Sequence, residues 1–226
     1  MVSAIIVAAG RGTRMGPHVD KLFLEVSGRP IIAHTWQRFE DAPCIDEIVL
    51  VVRDGMESEF ELLARRHGFK KPYRTTVGGR ERQDSVWNGL NAVSGKCEVV
   101  AIQDGARPCT TPGHIAEVVN AARESGAAVA AQRVTDTIKE SGDGASILRT
   151  VDRSRLWSVQ TPQAFRLEVI RRALSVVRAG VMVVTDDTAA CEMIGQAVRL
   201  VEGRAPNPKA TSPADLPLLE VVLRGF

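Results

Sequence analysis

A glycine-rich segment near the start of the chain has the composition of a phosphate-binding loop. An apolar stretch over residues 2–8 is followed by three glycines within residues 10–16, and Arg14 and Lys21 add positive charge. Small residues let backbone N–H groups approach a phosphate closely. The glycine spacing is one residue too long for the dinucleotide fingerprint, and no glycine precedes Lys21 as a Walker A motif requires. Because an apolar stretch, glycines and cations converge, we favour phosphate binding over a solvated glycine-rich turn.

A carboxylate follows a second apolar stretch. Asp104 comes just after residues 98–102, and Arg107 lies three residues further on. Magnesium needs only one or two protein carboxylates when phosphate oxygens complete its coordination. Alone, Asp104 would be interpreted as a turn or N-cap aspartate, but beside the glycine-rich segment we favour metal binding. Arg107 either contacts a substrate phosphate or braces the loop.

Two further segments carry candidate binding residues, and each leaves two interpretations open. Gly78 to Ser85 has two glycines after a strand and then Arg82, which suits either recognition of a base or an ordinary capped helix start. Residues 201–209 form a proline-stiffened loop that ends in Lys209. That lysine either reaches the phosphates or lies on the surface.

The elements that must position these residues alternate along the chain. Continuous apolar runs predict buried strands, and apolar residues at helical spacing predict helices between them. Thr111, Pro112 and Gly126 give one helix a clear beginning and end. The predicted strands cover residues 2–8, 47–52, 98–102 and 127–131, and the predicted helices cover about 30–41, 56–67, 81–93 and 112–125. This alternation is typical of an α/β doubly wound, mostly parallel sheet, whose ligands bind beyond the carboxyl ends of the strands.

The alternation breaks after Gln132. Residues 133–157 contain only scattered apolar side chains around a Ser-Gly-Asp-Gly turn, which predicts a protruding β-hairpin arm. A two-stranded arm is marginal by itself, so we expect a second subunit to cover it. Beyond the arm we expect helices near 166–178, 186–194 and 213–223 and a strand over 197–201, within a single domain of residues 1–226.

Composition excludes several classes of protein. The chain has 226 residues, of which 44% are hydrophobic and 25% charged, with a net charge of +2. These values exclude a disordered or coiled-coil protein and make nucleic acid a poor candidate ligand. No apolar run is long enough to span a membrane and no signal-peptide pattern is present, so we expect a cytoplasmic protein. The four cysteines are expected to be free thiols, and the four histidines lack the partners of a catalytic triad.

Taken together, the motifs resemble one family, 2-C-methyl-D-erythritol 4-phosphate cytidylyltransferase of the non-mevalonate isoprenoid pathway. The resemblance covers nearly the whole chain. The motifs that carry it are Ala8-Ala-Gly-Arg-Gly-Thr-Arg-Met15 with Lys21, Gly78-Gly-x-x-Arg82-x-Asp-Ser85, Asp104-Gly-Ala-Arg-Pro108, Asp136-Thr-Ile-Lys139, Thr150-Val-Asp-Arg153, Thr161-Pro-Gln163, Thr185-Asp186 and Val201-Glu-Gly-Arg-x-x-Asn-x-Lys209.

The resemblance implies a Rossmann-like nucleotidyltransferase that transfers CMP from CTP to methylerythritol phosphate with Mg²⁺ and releases pyrophosphate. It also implies a homodimer with interlocking arms, the partner's arm completing the acceptor site. Carried over by motif, the catalytic residues are Arg14, Lys21 and Lys209; the nucleotide-binding residues are Ala8, Ala9, Gly10, Gly79, Arg82 and Ser85; the acceptor-binding residues are Arg107, Thr137, Arg153, Thr161 and Asp186; and the metal ligand is Asp104.

Two alternative functions remain to be weighed against this one. A cytidylyltransferase for another polyol phosphate, such as ribitol 5-phosphate, would share the nucleotide loops, and the preference for methylerythritol phosphate depends on residues 136–139 and 150–153. A nucleotide-binding regulator would bind CTP without turnover. Such a protein would not need Arg14, Lys21 and Lys209 together with Asp104. Where the family often has Pro, His, Glu and Ile, this chain has Val7, Gln103, Asp187 and Pro208.

Overall fold

The computed structural model describes residues 1–10 and 20–225, and the protein is built around a central β-sheet. The strands in chain order are β1 (Val2–Val7), β2 (Glu25–Val26), β3 (Arg29–Pro30), β4 (Glu47–Val52), β5 (Tyr73–Val77), β6 (Val99–Asp104), β7 (Ala127–Arg133), β8 (Lys139–Glu140), β9 (Arg149–Thr150), β10 (Trp157–Arg166) and β11 (Arg199–Glu202). Seven of them form the main sheet in the order β11-β7-β10-β6-β1-β4-β5.

The sheet is parallel except for one strand. β10 runs antiparallel to its neighbours β6 and β7, and every other neighbouring pair is parallel. From β1 the chain moves to β4 and β5 on one side and then returns to place β6 on the other side. A crevice forms beyond the carboxyl ends of strands where the order reverses in this way, and ligands of doubly wound sheets bind there.

Helices cover both faces of the sheet. They are α1 (Ile31–Glu40), α2 (Glu57–His67), α3 (Arg82–Ala92), α4 (Pro112–Ser125), α5 (Leu167–Ala179), α6 (Asp187–Met193) and α7 (Leu216–Arg224). Buried side chains of α1, α2, α4 and α7 form one hydrophobic cluster, and those of α3, α5 and α6 form the other. The expected doubly wound, mostly parallel α/β fold is therefore confirmed.

The central strands β1, β4 and β6 are mostly apolar because both of their faces are buried. In β4, Ile48 and Leu50 belong to the cluster on one face, while Val49 and Val51 belong to the cluster on the other. Successive side chains of a strand point to opposite faces, so a strand covered on both sides has no polar alternation.

The ends of the helices follow the signals in the sequence. The Thr111 side chain accepts a hydrogen bond from His114 N at the start of α4, and the Gly126 N–H donates to Ala122 O at its end. Gly68, with φ of 69°, ends α2 in the left-handed region that glycine adopts without a steric penalty. The last helix begins at Leu216 rather than 213, because residues 213–215 form a 3₁₀ turn.

Strand β10 was not predicted. Its sequence alternates apolar and polar residues irregularly, and Gln163 looks unsuited to a buried position. In the fold, the Gln163 side chain is 2% exposed and donates to Asp186 Oδ2 at 2.8 Å, while its Oε1 accepts from Asp187 N at 3.1 Å. A buried polar side chain is tolerated when its hydrogen bonds are satisfied in this way, and residues about 23 positions apart provide the partners.

The predicted hairpin is present between β7 and β10. β7 ends at Arg133 and β10 begins at Trp157, and between them β8 and β9 pair as a two-stranded antiparallel ribbon. Residues 141–150 at its tip are all exposed.

All four cysteines are free thiols, as expected, and three of them are buried. Of the histidines, His34 pairs with Val26 O, His67 with Arg29 and His114 with Glu117; His18 lies outside the described residues. Among residues 1–10 and 20–225, no helix is long and apolar enough to cross a bilayer.

Candidate active site

A cleft of about 500 Å³ lies where β1, β5 and β6 end. That volume falls within the range of small-molecule sites. Its position is the crevice in which a doubly wound sheet binds ligands. Its lining within the described part of the chain is Val7, Ala9, Gly10, Lys21, Leu22, Gly79, Arg80, Glu81, Arg82, Ser85, Asp104, Gly105, Ala106 and Lys209.

The cleft brings together most of the residues predicted to bind nucleotide, metal and phosphates. Those that line it are Ala9, Gly10, Lys21, Gly79, Arg82, Ser85, Asp104 and Lys209. Ala8 lies behind the wall, 4% exposed, and donates its N–H to Val51 O at 2.7 Å. Arg14 lies outside the described residues, so its predicted role stays a prediction.

Asp104 is the centre of the charge arrangement. Its Oδ2 accepts from Lys209 Nζ at 2.6 Å, its Oδ1 accepts from Arg82 Nε at 3.3 Å, and Arg107 Nε lies 3.9 Å from Oδ2. Burial alone would raise the pKa of Asp104, but Arg82, Lys209 and Arg107 together lower it to about 2. The carboxylate is therefore ionised at neutral pH.

Arg82 is fixed from two sides. Its Nη1 donates to Asp187 Oδ2 at 2.7 Å, while its Nε reaches Asp104. The side chain of Asp187 is fully buried at the first position of α6. Burial opposes the charge on Arg82, but the two carboxylates raise its pKa above the usual value. Sequence reasoning missed Asp187 as a partner because it lies 105 positions from Arg82.

The loop after β11 delivers Lys209 to the cleft. Lys209 is 36% exposed. Ala210 N donates to Ala106 O at 2.9 Å, which ties the loop to the segment after β6. Lys21, in a 3₁₀ turn that Asp20 caps, donates from Nζ to Ala210 O at 3.1 Å. Segments from three distant parts of the sequence therefore place two lysines at one cleft.

The corner between β5 and α3 approaches the end of β1 very closely. A Cβ added at Gly78 would lie 2.3 Å from the Cβ of Ala9, so only glycine fits there. The Ser85 hydroxyl accepts from Gly79 N at 3.1 Å, and Glu81 with Asp84 forms a capping box at the start of α3. The corner is therefore a capped helix start, and base recognition by Gly79, Arg82 and Ser85 stays a prediction.

The predicted acceptor-binding residues do not line the cleft. The Thr161 hydroxyl accepts from Asp104 N at 3.1 Å, and Asp186 caps α6 by accepting from Ala189 N. Arg107 donates from Nη1 to Asn207 O at 2.7 Å, which is the bracing contact that was one of its two interpretations. These contacts give each residue a structural partner, and their acceptor-binding roles stay predictions.

Thr137 and Arg153 lie in the arm. Both are exposed, and Arg153 donates to Thr135 O. Neither contributes to the cleft of its own chain within the described residues. Their acceptor-binding roles therefore stay predictions, and the resemblance places those roles in the partner's site.

The carboxylates at the cleft suit magnesium bound together with phosphates. No group of three or more His, Cys, Asp or Glu side chains able to hold a metal occurs in residues 1–10 and 20–225. A zinc site is thus not supported by the described residues. Asp104 and Glu81 do line the cleft. One ionised carboxylate is enough for Mg²⁺ when a triphosphate supplies the other oxygens, so the residues present fit that ion.

The lining of the cleft favours anion chemistry over proton transfer. In the described part of the chain it contains lysine and arginine side chains and backbone N–H groups, but no histidine or cysteine. Its carboxylate Asp104 is already engaged by Lys209 and Arg82, so it is held as a fixed charge rather than offered as a proton acceptor. Fixed cations in a cleft stabilise developing negative charge, and this is what the arrangement can do chemically.

Comparison with known proteins agrees with this geometry. The sequence profile of the family 2-C-methyl-D-erythritol 4-phosphate cytidylyltransferase matches residues 2–225. The enzyme of that name from Alkaliphilus oremlandii is 44% identical over 98% of this chain and 94% of its own length. The one from Geobacillus kaustophilus is 46% identical over 97% of this chain and 96% of its own.

Solved structures give the same result. The crystal structure of 4-diphosphocytidyl-2C-methyl-D-erythritol synthase from Anaerococcus prevotii superposes with a TM-score of 0.87 at 30% identity, covering 99% of this chain and 96% of that one. The 2-C-methyl-D-erythritol 4-phosphate cytidylyltransferase of Thermus thermophilus gives a TM-score of 0.81 at 32% identity, covering 99% and 100%. With sequence, fold and cleft in agreement, the chain belongs to the 2-C-methyl-D-erythritol 4-phosphate cytidylyltransferase family.

Proposed function

We propose that the cleft at the ends of β1, β5 and β6 carries out the family's reaction, transfer of CMP from CTP to 2-C-methyl-D-erythritol 4-phosphate. A phosphate oxygen of the acceptor attacks the α-phosphorus of CTP. The bond from that phosphorus to the bridging oxygen of the β-phosphate breaks, and pyrophosphate leaves. The observation that carries the proposal is that one cleft holds Lys21 together with the ionised Asp104 and its partners Lys209 and Arg82.

The chemistry needs charge neutralisation rather than a base. The attacking phosphate oxygen is already anionic at neutral pH, so no proton has to be removed from it. The difficulty is bringing one anion onto another, and in-line positioning with fixed cations overcomes it. A cleft with lysines and arginines but no histidine in its described lining suits this requirement.

The predicted residues at the cleft have proposed roles. Lys21 and Lys209 hold the triphosphate and stabilise the charge that develops on it, with Arg14 from the glycine-rich segment. Gly79, Arg82 and Ser85 recognise cytosine, and the backbone of residues 8–10 frames the nucleotide. These assignments are supported by the family's motifs and by the positions of the described residues at one cleft.

Magnesium is proposed as the cofactor, with Asp104 as its protein ligand. When bound, the ion would neutralise the phosphate oxygens around the α-phosphorus. Asp104 holds a full negative charge for this purpose because three cations keep its pKa at about 2 against the opposing effect of burial. Asp104 and Lys209 contact each other at 2.6 Å. This contact must break when Asp104 binds the metal and Lys209 binds a phosphate.

We further propose a homodimer in which each arm completes the partner's acceptor site. Thr137 and Arg153 would reach over to hold methylerythritol phosphate beside Arg107, Thr161 and Asp186. The exposure of the arm tip and the small size of its two-residue strands support this, since such a ribbon needs a covering surface. A cytoplasmic location fits the use of CTP as donor.

The acceptor assay tests the function directly. Pyrophosphate release is measured with CTP and Mg²⁺ and with either methylerythritol phosphate or ribitol 5-phosphate as acceptor. We expect turnover with methylerythritol phosphate and a much lower kcat/KM with ribitol phosphate. Faster turnover with ribitol phosphate would show that ribitol phosphate is the acceptor. CTP binding without any turnover would show that the protein is a regulator.

A further inference from the structure

One buried polar residue of the Lys209 loop belongs to the motif of residues 201–209 but has no assigned role. Asn207, two positions before Lys209, is 6% exposed. Its Nδ2 donates to Thr161 O at 2.9 Å and to Gln160 Oε1 at 3.2 Å. Its side chain therefore ties the loop to β10, on the far side of the cluster around Asp104.

The backbone on either side of Lys209 is tied down as well. Asn207 O accepts from Arg107 Nη1 at 2.7 Å, and Ala210 N donates to Ala106 O at 2.9 Å. Both contacts join the loop to the segment that directly follows β6, the strand that ends at Asp104. The loop is thus held on the two sides of the lysine that enters the cleft.

Thr161 contacts both the loop that carries Lys209 and the backbone of Asp104. Its carbonyl oxygen accepts from Asn207, and its hydroxyl accepts from Asp104 N at 3.1 Å. Thr161 is 3% exposed and belongs to β10, a strand of the central sheet. The Lys209 loop and the backbone of Asp104 are therefore both anchored to the same residue of β10.

We propose that Asn207 is a positioning residue that holds the Lys209 ammonium in register with Asp104 and with the reacting phosphates. The inference rests on the catalytic role proposed for Lys209. A lysine side chain has a flexible four-carbon stem, so the place of its charge depends on how firmly its backbone is held. Misplacement of a reacting or charge-stabilising group by about 1 Å costs about 10²-fold in rate.

The side chain acts through its donors. Asn207 Oδ1 is buried and has no hydrogen-bond partner in the described part of the chain, whereas both contacts to β10 use Nδ2. Asn207→Ala removes these donors, and Asn207→Ser keeps one short donor. Asn207→Asp keeps the size but turns the group at Thr161 O into an acceptor, so it should be worse than serine.

The test measures kcat and the KM for CTP in the Asn207 variants. We expect Asn207→Ala to lower kcat roughly 10- to 100-fold with little change in KM, Asn207→Ser to recover part of the loss, and the exposed Asn120→Ala control to match the wild type. Circular dichroism and Tm show which variants fold. If the alanine variant does not fold, kcat is compared between the serine and aspartate variants, and the aspartate variant should have the lower value. A fall in kcat that merely follows the folded fraction would overturn the proposal.

A double-mutant cycle separates this inference from the function on which it rests. If Asn207 acts through Lys209, Asn207→Ala should have almost no further effect in a Lys209→Ala background, measured with radiolabelled CTP. Full additivity of the two losses would contradict the proposal. An unchanged kcat in Lys209→Ala alone would refute the role of the lysine, whereas loss in that variant with none in Asn207→Ala would refute only the role of Asn207.

Discussion

Asp104 shows how one carboxylate organises a site built for anions. It lies against Lys209, Arg82 and Arg107, and these cations hold it ionised despite burial. In return its negative charge offsets the mutual repulsion of these three cations and holds them close together. Removing a fixed charge of this kind costs roughly 10²–10³ in rate when it stabilises a transition state.

This arrangement predicts a pH-dependent contribution to stability. The pKa of Asp104 is lowered from 3.8 to about 2. A lowered carboxylate pKa stabilises the folded state above the unfolded value and loses this effect as pH falls through the folded value. The contribution is about 2 kcal/mol at neutral pH, at 1.36 kcal/mol for each pKa unit. The difference in unfolding free energy between wild type and Asp104→Asn should be widest at neutral pH and narrow towards about pH 2.

Urea unfolding at a series of pH values measures that difference. Asp54→Asn, at an exposed carboxylate, is the control and should give a small difference at every pH. A gap for Asp104→Asn that stays constant from neutral to acidic pH would show that its charge is not what stabilises the cluster.

Loops at strand ends set the shape of the cleft, and their packing depends on glycine. The Cβ of an alanine at position 78 would lie 2.3 Å from the Cβ of Ala9 and 3.0 Å from Ser85 Oγ. We expect Gly78→Ala to force the ends of β1 and β5 apart, to raise the KM for CTP and to destabilise the fold by about 1–3 kcal/mol.

Steady-state kinetics and thermal unfolding check this prediction. Gly95→Ala is the matched control, because an added Cβ there meets nothing within 4 Å. Should Gly78→Ala bind CTP as the wild type does, the close approach of the two loops has no bearing on the nucleotide.

The strands of the core were predictable from sequence because short continuous apolar runs are typical of strands that are buried on both faces. Glu47–Val52 was predicted with the observed ends, and β1 differs by one residue. β10 was not, because its buried Gln163 is satisfied by Asp186 and Asp187, which lie elsewhere in the chain. The same reason hid the partnership of Arg82 with Asp187. Local pattern reveals burial, but it does not reveal which distant group completes a hydrogen bond.

At the scale of the whole molecule, the arm is a segment whose apolar side chains are left exposed by its own chain. Ile147 and Leu148 near its tip are 66% and 67% exposed. Apolar side chains exposed together on a marginal ribbon usually mark a contact surface. That the arms interlock in a homodimer, and that residues 1–226 fold as one domain, remain proposals to be tested with the intact protein.

Complementation tests whether the acceptor site is shared. Arg153→Ala and Lys21→Ala chains should each be nearly inactive alone, but each mixed dimer should contain one intact site, since one chain supplies the cleft and the other supplies the arm. Recovery of pyrophosphate release after mixing is the measurement. Lys21→Ala mixed with Lys209→Ala is the control and should not recover, because both lysines belong to the same cleft. Absence of recovery in verified mixed dimers would exclude a shared site.

The antiparallel pairing of β7 with β10 closes the base of the arm. Arg133, where the arm begins, and Trp157, where it ends, are partners in the register of β7 and β10, and the Arg133 guanidinium lies 4.4 Å from the centre of the Trp157 ring. Because this pair closes the base of the arm, we expect an insertion, deletion or exchange between the two positions to leave the register of β7 and β10 unchanged. The arm should then be replaceable without a change in the cleft at the ends of β1, β5 and β6.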